Sequence, residues 1–251
     1  TNGRAIDFAA IASYDSIVNC RVIAPPNTGT ATGVVGIFGS LVGTSNTLKG
    51  NTVIGGAQGI YFSGASATLV TTNNVIDSNF VSGFNNNGVY VANSHYTSVS
   101  KNEVTLLDTR LSIGYGVYAN NLDSAYQING NKVMGGATTQ TTYGIYGTGC
   151  GSNQYTGSVS NNKVILKNTQ AGTVYGIYLT TMQGNFTRNN VINVGTTGAT
   201  SYGLYGTGGN GGVKYYNNTV VNSGAGTGTT NVAAYFSHSS ATAGVSNIRN
   251  N

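Results

Sequence analysis

The chain has 251 residues, of which 38 are glycine and only 7% are Asp, Glu, Lys or Arg, against a usual share of about 25%. Helix formers do not dominate, which excludes a bundle or coiled coil; the 39% hydrophobic content excludes disorder, and no apolar run reaches the ~18 residues of a membrane span. Eleven basic and six acidic residues leave a net charge of +5, too dilute a field for a nucleic-acid partner.

One pattern recurs along the whole chain. Its first half is a small residue, an aliphatic and an aromatic. Ala5-Ile6-Asp7 begins the series. Gly36-Ile37-Phe38, Gly59-Ile60-Tyr61, Gly88-Val89-Tyr90, Gly116-Val117-Tyr118 and Gly144-Ile145-Tyr146 follow, then Gly176-Ile177-Tyr178, Gly203-Leu204-Tyr205 and Ala233-Ala234-Tyr235. Its second half is an apolar residue, two variable residues, Asn, one variable residue and Val. Examples are Leu48…Asn51…Val53, Val99…Asn102…Val104, Ile128…Asn131…Val133, Val159…Asn162…Val164 and Phe186…Asn189…Val191. The Asn series reads Asn51, Asn73, Asn102, Asn131, Asn162, Asn189, Asn218 and Asn251, with Cys20 in the first slot and a spacing near 29.

Alternation with period 2 inside each half predicts short strands. A half this short buries too little by itself, so the repeats are expected to stack. Ile145 and Gly147 then face inward and Tyr146 outward. The Asn lies between inward residues three before and two after it, which demands a tight turn there. Asn tolerates the left-handed backbone of such a turn, and stacked Asn side chains satisfy backbone groups on neighbouring rungs.

Gly-Ile-Tyr followed by an Asn-x-Val turn and strand resembles the repeat of the right-handed parallel β-helix superfamily, the pectin-lyase-like solenoids, over nearly the entire chain. The resemblance implies an all-β, right-handed parallel β-helix, a single domain over 1–251 of about nine rungs. It carries an Asn ladder and an outward Tyr column. Nine rungs at ~4.8 Å give a rod of about 43 Å. A leucine-rich repeat is disfavoured by scarce Leu, and left-handed hexapeptide solenoids by the length of the period. The third side of each rung is variable and rich in Gly, Thr and Ser, as in 107–115 and 135–143, and is read as loops leaving one edge. Asn153 falls in such a loop, outside the ladder.

The resemblance makes polysaccharide cleavage the alternative to weigh. The acids are Asp7, Asp15, Asp77, Glu103, Asp108 and Asp123, and they do not recur at one slot of the repeat. Paired carboxylates at ~5–9.5 Å are therefore not expected, nor a calcium site. Glu103 aligns with Lys132 and Lys163 as an exposed ion pair. Cys20 and Cys150 lie rungs apart and are not expected to pair; Cys20 is expected to be a small buried residue and Cys150 an exposed thiol without a basic activator. His95 and His238 have no acid or thiol at ligand spacing, so no metal and no cofactor is expected.

Two surface features remain. Arg21, Lys49, Lys101, Arg188 and Arg249 lie along the Asn edge, a stripe suited to an acidic polysaccharide or anionic surface. Tyr90, Tyr118, Tyr146, Tyr178 and Tyr205 form the centre of an outward column from Tyr61 to Tyr235, with Tyr115, Tyr143, Tyr175 and Tyr202 three residues ahead of four of them. Equivalent rings ~4.8 Å apart stack on one another, and together offer a platform for sugar rings or a partner fibre.

The expected function is a non-enzymatic extracellular or cell-surface module, a segment of a fibre, stalk or adhesin that binds glycans through its aromatic face. The alternative is a polysaccharide lyase or glycoside hydrolase with its site in the loops. The chain starts at Thr1 and stops on the ladder Asn of Ile248-Arg249-Asn250-Asn251. It therefore reads as a mature product or excised piece that continues into further rungs or stacks end to end with copies of itself.

Overall fold

The structure, a computed structural model, describes residues 3–30, 33–41, 43–136, 138–151, 156–168, 171–197, 200–208, 212–224, 230–237 and 247–251. Among these residues there are strands but no helix, hence none long and apolar enough to cross a membrane. The strands pair only in parallel and form three sheets of ten, nine and eight strands.

One turn shows the path. Gly114–Asp123 lies in the first sheet, Gln127–Asn129 in the second and Lys132–Gly135 in the third. A loop then returns the chain to Thr142–Thr148, which pairs with Gly114–Asp123 one rung on. About eight such turns make a parallel β-solenoid. Register is kept from rung to rung: Val117 pairs with Ile145, Ile128 with Val159 and Val133 with Val164.

Three inward columns fill the core. Ile37, Ile60, Val89, Val117, Ile145, Ile177 and Leu204 line the first sheet, and none is exposed to solvent. Leu48, Ile76, Val99, Ile128 and Val159 line the second, and Val53, Val81, Val104, Val133, Val164 and Ile192 the third, again with no exposure. β-Branched side chains suit this arrangement because each packs on its own kind above and below.

The corner between the second and third sheets holds the Asn ladder. Asn131 Nδ2 donates to Val99 O at 2.8 Å and to Asn162 Oδ1 at 3.0 Å, and its backbone N donates to the same Oδ1 at 2.9 Å. The motif repeats through Asn51, Asn79, Asn102, Asn131, Asn162, Asn190, Asn218 and Asn251, and the backbone N of Cys20 donates to Asn51 at the head of the series. Two expected positions are corrected. Asn79 replaces Asn73 and Asn190 replaces Asn189; both replaced residues are exposed, with φ of 54°.

The cause is the location of the left-handed residue. It is not the ladder Asn but the residue before it: Asn19, Gly50, Ser78, Lys101, Gly130, Asn161, Asn189, Asn217 and Asn250, with φ between 52° and 68°. Asn73 has the same role at the other corner, between the first and second sheets, ahead of buried Asn74. The inward residues move accordingly: Thr187 and Ile192 are buried, while Val191 is 47% exposed.

That other corner is less uniform. Asn46 donates its backbone N to Asn74 Oδ1 at 2.9 Å, but later rungs place Tyr126, Gly157 and Asn185 there. Tyr126 is fully buried and its hydroxyl donates to Asn185 Oδ1 at 2.8 Å, two rungs away. It passes Gly157, where any Cβ would strike the Tyr126 ring.

The ladder register has a direct test. Asn190→Ala removes a side chain that donates to Val159 O and Asn218 Oδ1 and accepts from Asn162, and should cost about 1–3 kcal/mol of stability. Asn189→Gly, one residue earlier, keeps the left-handed turn and should change stability by less than about 0.5 kcal/mol. Chemical denaturation of both variants would show this contrast; equal losses would contradict it.

Candidate functional site

The first sheet carries the tyrosines outward, and a glycine column makes this possible. In Thr142–Thr148, Gly144 and Ile145 are both buried, whereas Tyr143 and Tyr146 on either side are partly exposed. Two consecutive inward residues break strict alternation. A Cβ at Gly144 would run into Val164 Cγ1 and the Gly176 carbonyl, so only glycine fits. Gly59, Gly88, Gly116, Gly176 and Gly203 are confined in the same way. In four rungs the kink turns two tyrosines outward, three residues apart; at Gly59 and Gly88 the earlier position holds Gln58 and Asn87.

Two columns result. Tyr115, Tyr143, Tyr175 and Tyr202 stack face to face, with centroids 4.9, 4.9 and 5.1 Å apart and planes within 9° of parallel. The other column runs Phe38, Tyr61, Tyr90, Tyr118, Tyr146, Tyr178, Tyr205 and Tyr235, with centroids 4.7–5.2 Å apart. From Tyr90 to Tyr205 successive rings in it are turned by 63–86°. The columns also touch each other, Tyr115 to Tyr118 at 4.8 Å and Tyr175 to Tyr178 at 5.1 Å. Parallel rings cover each other's faces and show edges and hydroxyls to solvent. Tyr118 and Tyr146 have no axial neighbour stacked face to face on them, whereas Tyr90 stacks on Tyr61, Tyr205 on Tyr235, and Tyr178 against Tyr143 and Tyr175 of the other column.

The face is almost free of charge. From Val34–Ser40 to Asn231–Ser237 the strands of this sheet contain only His95 and Asp123 as titratable groups other than tyrosine, both at strand ends. Burial raises the phenols of Tyr61, Tyr115, Tyr118, Tyr143, Tyr146, Tyr178 and Tyr205 above the ordinary 10, and Tyr175 to about 12. The surface therefore presents neutral hydroxyls through the physiological range.

The other sequence candidates are dispersed. Asp7 pairs with Arg4 at 2.6 Å, Asp77 with Lys49 at 3.9 Å and Glu103 with Lys132 at 3.0 Å, each on a different sheet. Asp77 lies in Val75–Asp77 of the second sheet, two residues before the ladder residue Asn79. Asp108 Oδ1 accepts from Gly136 N at 3.2 Å. His95 has an acidic neighbour after all: Nε2 lies 3.9 Å from Asp123 Oδ2 on the next rung. The two line a cleft of about 160 Å³ together with Asn121, Ala67, Val70, Gly149 and Gly151.

The cysteines exchange their expected settings. Cys20 is exposed, and Cys150 is fully buried against the Ala119 and Thr148 carbonyls. Burial pushes the Cys150 thiol up to about 12, an inert side chain. His238 and Asn153 lie outside the described residues. The sequence did not single out Arg110, which is 3% exposed; its guanidinium donates to Leu107 O and Thr142 Oγ1, and burial lowers its pKa to about 10.

The fold and its surface define a parallel β-solenoid with a paired tyrosine face. Among solved structures the chain is similar to the enzymatically active domain of tailspike protein 2 from bacteriophage CBA120, with 13% identity and a TM-score of 0.33 over 80% of this chain and 36% of that one. It is also similar to full-length tailspike protein 2 from an Escherichia coli O157:H7 bacteriophage, with 14% identity and a TM-score of 0.31 over 80% of this chain and 32% of that one. The chain thus spans about a third of the length of each. No family model and no curated protein matches it.

The tyrosine environment predicts alkaline behaviour. A phenol whose pKa is raised by folding contributes stability that is intact below pH 10 and falls as pH rises toward 12, since the unfolded chain ionises first. Absorbance at 295 nm should show most phenols titrating above pH 10 and together with loss of β-sheet circular dichroism. Full ionisation near pH 10 with the fold intact would contradict the packed columns.

Proposed function

We propose that the chain is a non-catalytic extracellular or cell-surface module that binds neutral polysaccharide along its tyrosine face. The observation that supports this is the pair of columns itself: eleven tyrosines from Tyr61 to Tyr235 on one sheet that carries charge only at its first strand and at two strand ends, at rung spacing. Sugar rings present C–H faces to aromatic planes and hydroxyls to phenolic oxygens, and neither contact calls for charge. The turned rings Tyr90, Tyr118, Tyr146, Tyr178 and Tyr205 are the proposed contact residues. A rigid scaffold held by side-chain ladders orders the site before the ligand arrives and lowers the entropy lost on binding. The fibre, stalk or adhesin role follows from the same stiffness, with further rungs or a second copy extending the rod.

Polysaccharide cleavage is the second reading, favoured by the His95–Asp123 pair in its cleft at the edge of the same sheet. Chain-length analysis of neutral and acidic glycans after incubation separates the two. Cleavage that is lost in Asp123→Asn would replace the binding reading with the enzymatic one.

Replacing Tyr118, Tyr146 and Tyr178 together with Ser should reduce retention on neutral glycan gels by at least about tenfold while the β-sheet spectrum persists. Unchanged retention of the folded triple variant would leave the tyrosines a structural role alone.

A further inference from the structure

The outer face of the second sheet has a different chemistry. Its strands are three residues long, and the first and third residues point outward. Through the middle rungs these positions hold Ser98 and Ser100, Gln127 and Asn129, then Ser158 and the buried Ser160; Ser100 donates to Asp77 one rung earlier, where the face carries the Lys49–Asp77 ion pair. The next rungs change character: Phe186 and Arg188, Lys214 and Tyr216, then Arg249 beside Asn247. Lys214 Nζ sits 4.6 Å from the centre of the Phe186 ring and Arg188 Cζ 5.6 Å from it, with Tyr216 6.4 Å from Phe186. The ring thus holds two cations in place on the surface. Arg249 Nε donates to Asn247 Oδ1 at 2.9 Å.

Charge along the chain is unequal in the same direction. All six acids lie at or before Asp123, while residues 124–251 contain six Lys or Arg and no acid. Lys132 is paired with Glu103, but Arg188, Lys214 and Arg249 have no ion pair among the described residues. Arg188 and Arg249 are two rungs apart, roughly 10 Å, with Lys214 on the rung between.

We propose that this face is a second binding surface, for a polysaccharide that bears sulfate esters or carboxylates. Hydroxyl and amide side chains upstream match sugar hydroxyls, Tyr216 offers ring contact, and three cations without an ion pair meet the acidic substituents. That combination favours an acidic glycan over a lipid surface, which does not use a hydroxyl and amide track. It also favours it over a nucleic acid, whose bases stack on free rings; Phe186 is already occupied by cations. The site stands on a different sheet from the tyrosine columns and does not depend on them.

Surface plasmon resonance at low and moderate salt tests it, with a sulfated galactan, a polyuronate, a neutral galactan, duplex DNA and anionic vesicles as probes. The chain should bind one or both acidic polysaccharides, more weakly as salt rises, and the stronger of these two arms identifies the substituent. Arg188→Ser/Lys214→Ser/Arg249→Ser should bind that glycan about tenfold or more weakly with its retention on neutral glycan unchanged. The exposed single variant Arg188→Ser should weaken it about threefold, and covers the case of a misfolded triple variant. Wild-type affinity in the folded variants would overturn the proposal, as would DNA or vesicles binding as tightly as either acidic glycan. Loss of acidic-glycan binding in the Tyr118/Tyr146/Tyr178 variant, with the cation variant intact, would assign that ligand to the tyrosine face instead.

Discussion

The left-handed residue at each corner between the second and third sheets turns one backbone N–H along the rod axis, and the acceptor it meets is the Asn side chain of the next rung. That hydrogen bond sets the register of the whole solenoid. Once Asn131 is locked on Asn162, Ile128 falls on Val159 and Val133 on Val164, and the chain has no freedom to slip. A slip of one residue would send every inward aliphatic to solvent. The tyrosine columns inherit the same register on the sheet farther along the turn, so the surface owes its regularity to a polar corner that never reaches it.

In-register stacking also explains the meagre charge. A Lys repeated at one slot would face its equivalent at about 4.8 Å on both sides, a repulsion that accumulates along the rod. Neutral side chains gain from the same proximity, Asn through amide ladders and Tyr through ring contact. Where charge occurs, opposite signs mostly adjoin, Glu103 before Lys132 and Asp77 beside Lys49, although Lys132 and Lys163 share one slot on adjacent rungs. On the second sheet Arg188 and Arg249 share a column but are separated by Tyr216, which keeps the cations apart and leaves them unpaired.

Stacked short strands and the tyrosine column were legible because Gly-Ile-Tyr recurs with little drift. The ladder was legible at Asn51, Asn102, Asn131, Asn162, Asn218 and Asn251 and misread at two places: Asn73 belongs to the other corner and the ladder residue is Asn79, and in the doublet Asn189-Asn190 it is Asn190. One Asn of such a doublet takes the left-handed turn and the other faces inward, and composition does not distinguish them. Nor do the flanks: Phe186 and Val191 suit Asn189 in the repeat at least as well as Thr187 and Ile192 suit Asn190, yet it is Thr187 and Ile192 that are buried. Of the second sheet's cationic end, Arg188 and Arg249 were legible in the Asn-edge stripe, but Lys214 and its place beside Phe186 were not, because three-residue strands carry no periodicity. Arg110 belongs to a variable loop, where no repeat announces a buried guanidinium. Burial of Cys150 likewise depends on which way a Gly-rich corner turns.

Tyr126 has a mechanical meaning. Most contacts in the rod link a rung only to the next, so that opening could in principle travel one layer at a time. The Tyr126 hydroxyl reaches past Gly157 to Asn185 and clasps three layers as a rivet does. In that stretch the middle layer cannot peel away without breaking a bond that it does not itself make. Fraying that starts at either end meets there a block of three rungs that opens together or not at all.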